Sequence, residues 1–306
     1  MNDATTNYLS ERSRPPFILR PTVPKSQSNE FRTEEEYAFA TETFARLTGL
    51  LLFGFARHPL DTKNVILQNF VARSITMVRG VKTLWDIKDY QDCWILHRCL
   101  MDRYFHLVAL GRDGSYTTFD DWSFMRQFEA QNRVRSDPHC KSVLGSPLFT
   151  PSPEQKARYA SLAKSLPQWK RPKAEDVAKQ TNISPLYDYG YDFASTHVHP
   201  MANDGLEDFY AITKLEPKPE FPPHVSVLHN SLLVGCLIVN ASLNQSDFRW
   251  MAVVFNFFDN LMSFLDTGSK DYMQTFAKIA TMGPDAKLCE PIGQESLSRE
   301  GKDTCP

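Results

Sequence analysis

The sequence predicts an all-α protein built as a helical bundle. Three observations indicate this class. Long segments repeat apolar residues at helical spacing, capping signals stand before several of them, and no segment shows a useful length of the alternation typical of a strand. The 306 residues, 42% of them hydrophobic, suffice for a sizeable core.

The chain is expected to form one domain with a disordered N-terminal segment and a flexible C-terminal tail. Residues 1–32 are polar and proline-bearing, which predicts a disordered N-terminal segment. Residues 33–282 form the predicted single helical domain, and the polar residues 283–306 are expected to be a flexible C-terminal tail. Within the domain, 135–182 is rich in Pro, Ser and Lys, and we predict an irregular insertion there.

The first half of the domain predicts four long helices. Thr33 and Glu36 have the spacing of a capping box, so a helix is expected from there to about residue 57. The next helices are predicted over 61–86 and over 90–111, where Gly111 would be the C-cap. A fourth helix is predicted over 119–134.

The second half predicts shorter helices and then an apolar pair. We expect a short helix over 153–164, another over 184–199, and a loop over 201–223. Two apolar helices follow over 224–245 and 246–266, with a last short helix over 270–281. The apolar runs, 47–55 and 231–243, are shorter than the roughly 20 residues of a membrane span, so we expect core helices and no membrane.

Charge and cysteine usage exclude some classes of function. The net charge of −2 gives no overall positive field for nucleic acid, so any such contact would need a local basic patch. The six cysteines form no C-x-x-C pair, which argues against a zinc site and for a reducing, cytoplasmic location. No cofactor and no metal are expected.

The helix predicted over 90–111 carries a charged pair on an apolar face. Arg98 and Asp102 are four residues apart and therefore neighbours on the helix. They either fix helix packing as a structural ion pair, or Arg98 binds an anion or phosphate while Asp102 holds the guanidinium. A separate stripe with Asp92, Arg103 and His106 is predicted to face solvent.

The helix predicted over 184–199 has a polar face of its own. Its members recur at helical spacing, with Tyr191 beside them: Asp188, Asp192, Ser195 and His199. His199 is either a general acid or base or the C-cap before Pro200. The composition of a Ser-His-Asp triad is present, but no G-x-S-x-G elbow surrounds the serine. His197 points elsewhere and is expected to pack or cap, which disfavours an H-x-H metal site.

Two further basic features are weaker. Arg73, Arg79 and Lys82 could join Arg98 in a patch, although such charges usually form a solvated helix face. The segment "KSLPQWKRPK", 164–173, is basic with one tryptophan. It could contact nucleic acid, and a flexible surface loop is the alternative.

Two motifs resemble those of a bacterial helical family that is catalogued only as a domain of unknown function. They are "DCWILHRCLMDRYFHLVAL" and "YDFASTHVHP", and the similarity covers about Phe70 to Pro200. The motif positions are occupied by Arg98, Asp102, Tyr191, Ser195, His199 and Pro200. The chain departs from the pattern at Asp102, where the family more often has Glu, so the reach of any contact to Arg98 would differ.

That family is similar in general appearance to the HEPN superfamily, whose members are often dimeric, metal-independent ribonucleases of toxin and antiphage systems. The resemblance implies a HEPN-like defence or toxin protein that acts on RNA, with a possible homodimer. Its catalytic residues would be Arg98, His199, Asp102, Ser195, Asp192 and Tyr191. No arginine precedes His199 at the R-x4-6-H spacing of HEPN ribonucleases, so the similarity concerns the fold.

Two alternatives stay open. The first is a non-enzymatic helical module that binds a protein partner or small ligand, in which the polar residues only fix the bundle. The second is a metal-dependent hydrolase, which would use Asp102, Asp188, Asp192 and His199.

Overall fold

The computed structural model describes residues 32–143, 150–181, 183–203, 205–217, 224–282 and 287–292. The described chain is an all-α bundle, which confirms the predicted class. Residues 1–31 and 293–306, most of the two predicted tails, lie outside the described residues.

Four long helices occupy the first half of the bundle: α1 Glu34–Ala56, α2 Thr62–Asp86, α3 Tyr90–Asp113 and α4 Tyr116–Ser136. The capping box is confirmed, because Glu36 donates its backbone N–H to Thr33 Oγ1 at 3.3 Å and its carboxylate accepts from Thr33 N at 3.0 Å. The predicted C-cap at Gly111 is wrong. The helix continues to Gly114, whose φ of 63° gives the left-handed cap that favours glycine.

The predicted insertion, 135–182, contains more regular structure than expected. A 3-10 turn, Pro138–Val143, follows α4, and α5 covers Pro153–Leu162 close to its predicted place. A helix that was not predicted, α6, covers Ala174–Gln180. Phe128 of α4 stacks on Tyr159 of α5 with ring centroids 4.4 Å apart, so α5 packs on the bundle.

The predicted helix over 184–199 is present but not uniform. It begins as the short α7, Ser184–Leu186, continues as a π-helix over Tyr187–Asp192, and ends as α8, Phe193–Val198. The predicted loop over 201–223 is wrong in part, because α9 covers Leu206–Thr213. Residues 218–223 of that loop lie outside the described residues.

The apolar pair is α10, Val225–Gln245, and α11, Ala252–Thr267, followed by α12, Asp271–Thr281. The predicted start of the second helix at 246 is wrong, because Phe248–Trp250 form strand β1. It pairs antiparallel with β2, Cys289–Pro291, so that Trp250 lies opposite Cys289. Part of the predicted C-terminal tail is therefore a strand.

The core lies around α10, which packs against α2 and α3, while α1 covers α2 and α12 covers α11. α10 is also the one described helix that is long and apolar enough to span a membrane. Its most apolar stretch is mostly buried within the bundle, which identifies it as a core helix. This burial positions α3 so that its other face meets α8.

Candidate functional site

The polar site forms where α3 crosses the π-helix and α8. A π-helix has a wider turn than an α-helix and is frequent at functional sites. Its Gly190 faces α3 closely, since a Cβ at that position would lie 3.4 Å from His97 Nε2. The absence of a side chain there lets the two helices approach, and the residues on either side come into contact.

Arg98 is held from three directions. Its Nε donates to Ser195 Oγ at 2.8 Å, and its Nη1 lies 2.5 Å from Asp102 Oδ2. The guanidinium carbon lies 3.2 Å from the centre of the Tyr191 ring, a cation–π stack. The Arg98 side chain is 17% exposed, so this arrangement fixes a guanidinium at the edge of the core.

One nitrogen of the Arg98 guanidinium, Nη2, is available to a ligand. Nη1 is fully buried without a well-oriented hydrogen bond, in spite of its short ion-pair contact. Among the described contacts Nη2 has no hydrogen-bond partner, and it is not one of the buried polar atoms. Nη2 is therefore the nitrogen that reaches solvent, in an orientation set by the other contacts.

Tyr191 and Ser195 connect the members of the site. Tyr191 donates its hydroxyl to Asp102 Oδ1 at 3.3 Å, and Ser195 Oγ donates to the Tyr191 carbonyl at 2.8 Å. Burial raises the pKa of Tyr191, and the negative charge of Asp102 raises it further. The phenol thus stays protonated as a donor, while Asp102 and Ser195 act as acceptors toward Arg98.

The remaining predicted residues lie outside this network. Asp188, Asp192 and His199 are exposed, and no contact of the described residues joins their side chains to Arg98. His199 is the residue after α8, and its backbone N–H bonds to the Ser195 carbonyl at 3.3 Å. It occupies the predicted C-cap position, one helical turn from Ser195.

His197 packs, as predicted. Its ring stacks on Trp94 with centroids 5.8 Å apart, and its Nδ1 lies 2.7 Å from Gln91 Oε1. Burial lowers the pKa of His197, and nearby His224 lowers it further. The imidazole is therefore a neutral contact between α3 and α8, and no described contact joins it to Arg98.

His97 was missed by the sequence reasoning. It is completely buried, with Nδ1 3.1 Å from Ser231 Oγ and Nε2 without a hydrogen-bond partner. Burial lowers its pKa to about 3, so the ring is neutral at physiological pH. The sequence did contain a signal for His97, because this residue next to Arg98 lies on an otherwise apolar face of the helix.

The expected solvent stripe on α3 is wrong in part. Asp92 is exposed, but Arg103 and His106 are half-buried. Trp169 of the segment before α6 covers this side, with its ring centroid 5.7 Å from that of His106. Sequence reasoning could not place Trp169, because it lies far along the chain in an irregular segment.

A metal site is not evident. Among the described side chains, no three of the types His, Cys, Asp and Glu converge on one point. Asp102, Asp188, Asp192 and His199 do not form such a group.

The fold and site define an all-α bundle with an oriented arginine between two helices. Residues 64–213 match the model of DUF5677, a family of unknown function. The matched residues include both α3 and α8, and hence the whole Arg98 network. No curated protein and no solved structure matches the chain.

Proposed function

We propose that this chain is a HEPN-like bacterial defence or toxin protein that cleaves RNA without a metal. The observation that carries the proposal is the orientation of Arg98: Ser195 and Asp102 hold two of its nitrogens, and Nη2 reaches solvent. A fixed guanidinium costs little reorganisation when it meets the charge that develops on a phosphate. An arginine on the surface that makes no such contacts does not hold its guanidinium in one orientation.

The chemistry assigns a role to each neighbour. In metal-independent cleavage a group must move a proton at the reacting oxygen, and His199, exposed one turn from Ser195, is the imidazole available. Asp102, Ser195 and Tyr191 are positioning residues for Arg98. Asp192 is exposed beside them and would orient His199 or the substrate.

The test is cleavage of tRNA and total RNA by the purified full chain in the presence of EDTA. We expect cleavage by the wild type and a loss of about 100-fold or more in His199→Ala, the scale of a lost acid–base group. The matched control is His139→Ala, an exposed histidine that follows α4. Absence of cleavage by the wild type, or equal cleavage by His199→Ala, would overturn the proposal.

A second candidate is a non-enzymatic helical module whose partner is a second copy of the chain. It is favoured by α9, which exposes the apolar side chains Leu206, Phe209 and Ile212, the last to 79%. Contiguous exposed apolar surface marks interaction sites. Three apolar residues that precede α9 along the chain are exposed as well: Phe193, Val198 and Met201.

Sedimentation separates this candidate from the first. If α9 forms a homodimer, Phe209→Asp with Ile212→Asp should convert a dimer into a monomer. Phe53→Asp on α1, where the native side chain is 65% exposed, is the control and should leave the dimer intact. A wild-type chain that sediments as a monomer at all concentrations would exclude the homodimer.

A further inference from the structure

A cluster of aromatic rings lies beside the Arg98 site and is contributed by four separate segments. At its centre is Phe119 of α4, with the Trp169 ring at 4.8 Å and the Trp122 ring at 6.3 Å. Phe70 of α2 lies 6.5 Å away, and His106 of α3 lies 6.4 Å away. Trp122 and Trp169 are themselves 4.6 Å apart and only half-buried, so both indoles present surface to solvent.

Each of these segments also carries an arginine close to its ring. Residues three or four apart on a helix are neighbours. Arg73 follows Phe70 by three residues, Arg103 precedes His106 by three, and Arg126 follows Trp122 by four, with its guanidinium carbon 5.8 Å from the ring. Arg171 follows Trp169 by two. Each of the four segments that form the aromatic cluster therefore carries an arginine within two to four residues of its ring.

The positive charge of this surface is largely uncompensated. Within the described contacts Arg73 and Arg171 are exposed and pair with no carboxylate, and Arg126 is 3.7 Å from its only acidic partner. Arg103 donates to a backbone carbonyl, that of Cys99. The nearby acids of α4, Asp120 and Asp121, lie 2.6 and 2.8 Å from Arg158, which compensates one of their two negative charges.

The arginines are close enough to affect one another. Burial lowers the pKa of Arg103, and Arg73 lowers it further, while Cys99 and Asp102 act in the opposite direction. Burial also lowers the pKa of His106, with Arg171 and Arg103 contributing, against the effect of Asp102. Like charges that are held together without partners destabilise a fold, which makes an external anion the expected counter-charge.

We propose that this surface, formed by Arg73, Arg103, Arg126 and Arg171 with Trp122 and Trp169, binds single-stranded nucleic acid. The inference rests on the proposed function in one respect, because the bound strand is taken to be the RNA substrate that reaches Arg98. Arginines contact the phosphates, and the solvent-accessible parts of the half-buried indoles stack on bases that are not already stacked in a duplex.

The surface is continuous with the candidate site along α3. His106 Nδ1 lies 2.6 Å from the Asp102 carbonyl, and the Asp102 side chain pairs with Arg98. About two helical turns thus separate His106 of the aromatic cluster from Arg98, with Asp102 between them. A strand bound across Trp122 and Trp169 that continues along α3 would present a phosphate near Arg98.

The test measures binding separately from cleavage. Fluorescence anisotropy of a labelled oligouridine is recorded with the full-length His199→Ala protein, so that the probe stays intact. In that background Arg73→Glu with Arg171→Glu should weaken binding at least tenfold. The salt dependence of log K should also fall by about 0.7 for each lost phosphate contact. Lys278→Glu with Lys287→Glu changes the net charge equally at other exposed positions and should alter affinity less than twofold.

Three outcomes would overturn the inference. They are equal binding by the Arg73/Arg171 variant, equal or tighter binding of a duplex RNA of the same length, and binding to phosphatidylserine vesicles but not to the oligouridine. The proposed ribonuclease function can be wrong while the inference about the binding surface is right. If the surface variant loses RNA binding but the wild type cleaves nothing, the binding surface stands and the ribonuclease does not.

Discussion

Arg98 donates its Nε–H to Ser195 Oγ over 2.8 Å and thereby joins α3 to α8 across 97 residues of sequence. The same guanidinium pairs with Asp102 and stacks on Tyr191. One side chain therefore links the two motifs of the domain. A comparison of the free energy of unfolding with the RNA cleavage activity of Arg98 variants tests whether the guanidinium also acts in catalysis.

Removal of Arg98 is expected to destabilise the protein. Arg98→Ala leaves Asp102 without its cation and Ser195 without its donor, so we expect the free energy of unfolding to fall by about 2 kcal/mol, between the values for exposed and buried pairs. Arg98→Lys keeps the charge but cannot reproduce the fork and the stack, and should recover only part of the loss. Urea unfolding measures both. Arg46→Ala, which breaks an exposed pair with Glu42, is the control with an expected change below about 0.5 kcal/mol.

The close contact of α10 with α1 and α2 should not tolerate a methyl group. A Cβ at Gly235 would lie 2.8 Å from Val78 Cγ2 and 3.1 Å from the Phe44 ring. Gly235→Ala is therefore expected to cost about 1–3 kcal/mol by overpacking, as read from thermal or urea unfolding. Gly49→Ala on α1 is the opposite case, because nothing lies within 4 Å of its Cβ position. It should stabilise by about 0.5–1 kcal/mol, and a loss of stability there would contradict this account.

The capping box of α1 should contribute measurably. Thr33→Ala removes the acceptor of the Glu36 N–H, and we expect a loss of about 1 kcal/mol in the free energy of unfolding. Ser115 stands at the same position of α4 but makes no capping hydrogen bond through its side chain. Ser115→Ala should thus change stability by only a few tenths of a kcal/mol. Similar losses in the two variants would show that the hydrogen bond is not the cause.

Stability is expected to fall on mild acidification. Burial lowers the pKa of His97 to about 3 and that of His229 to about 4, against an ordinary value of 6.5. The unfolded chain therefore binds protons below pH 6.5 that the folded chain does not. The contribution is complete above pH 6.5 and is lost as pH falls toward 3–4, by up to about 1.4 kcal/mol per pH unit for each histidine.

The variant His97→Gln isolates one of these groups. Urea unfolding at pH 7 and at about pH 5.5 should show a smaller acid-induced loss in the variant than in the wild type. His139→Gln, at an exposed position, should retain the wild-type loss. An unchanged pH dependence in His97→Gln would mean that other groups dominate the acid response.

The helices were largely predictable from local signals. The capping box at Thr33 and the apolar periodicity gave α1, α2, α3, α10 and most of α11 within a few residues. The ends were less predictable, since Gly111 and Gly114 are both suitable C-caps. Only the second adopts the left-handed backbone, whereas the first lies within the helix, where a Cβ would clash with the Gln245 side chain. β1 was not predictable, since its partner β2 is about 40 residues away along the chain.

The candidate site was predicted in part. The sequence alone determined that Arg98 and Asp102 share a face of one helix, and that Ser195 and Tyr191 lie on or beside a face of another, because helical spacing fixes such neighbours. Tertiary structure decided that these faces meet while His199 and Asp192 stay outside their hydrogen bonds. The π-helix at Gly190 and the burial of His97 set that approach. Trp169 likewise reaches His106 only through the packed bundle, since contacts between distant segments depend on the shape of the core and not on local periodicity.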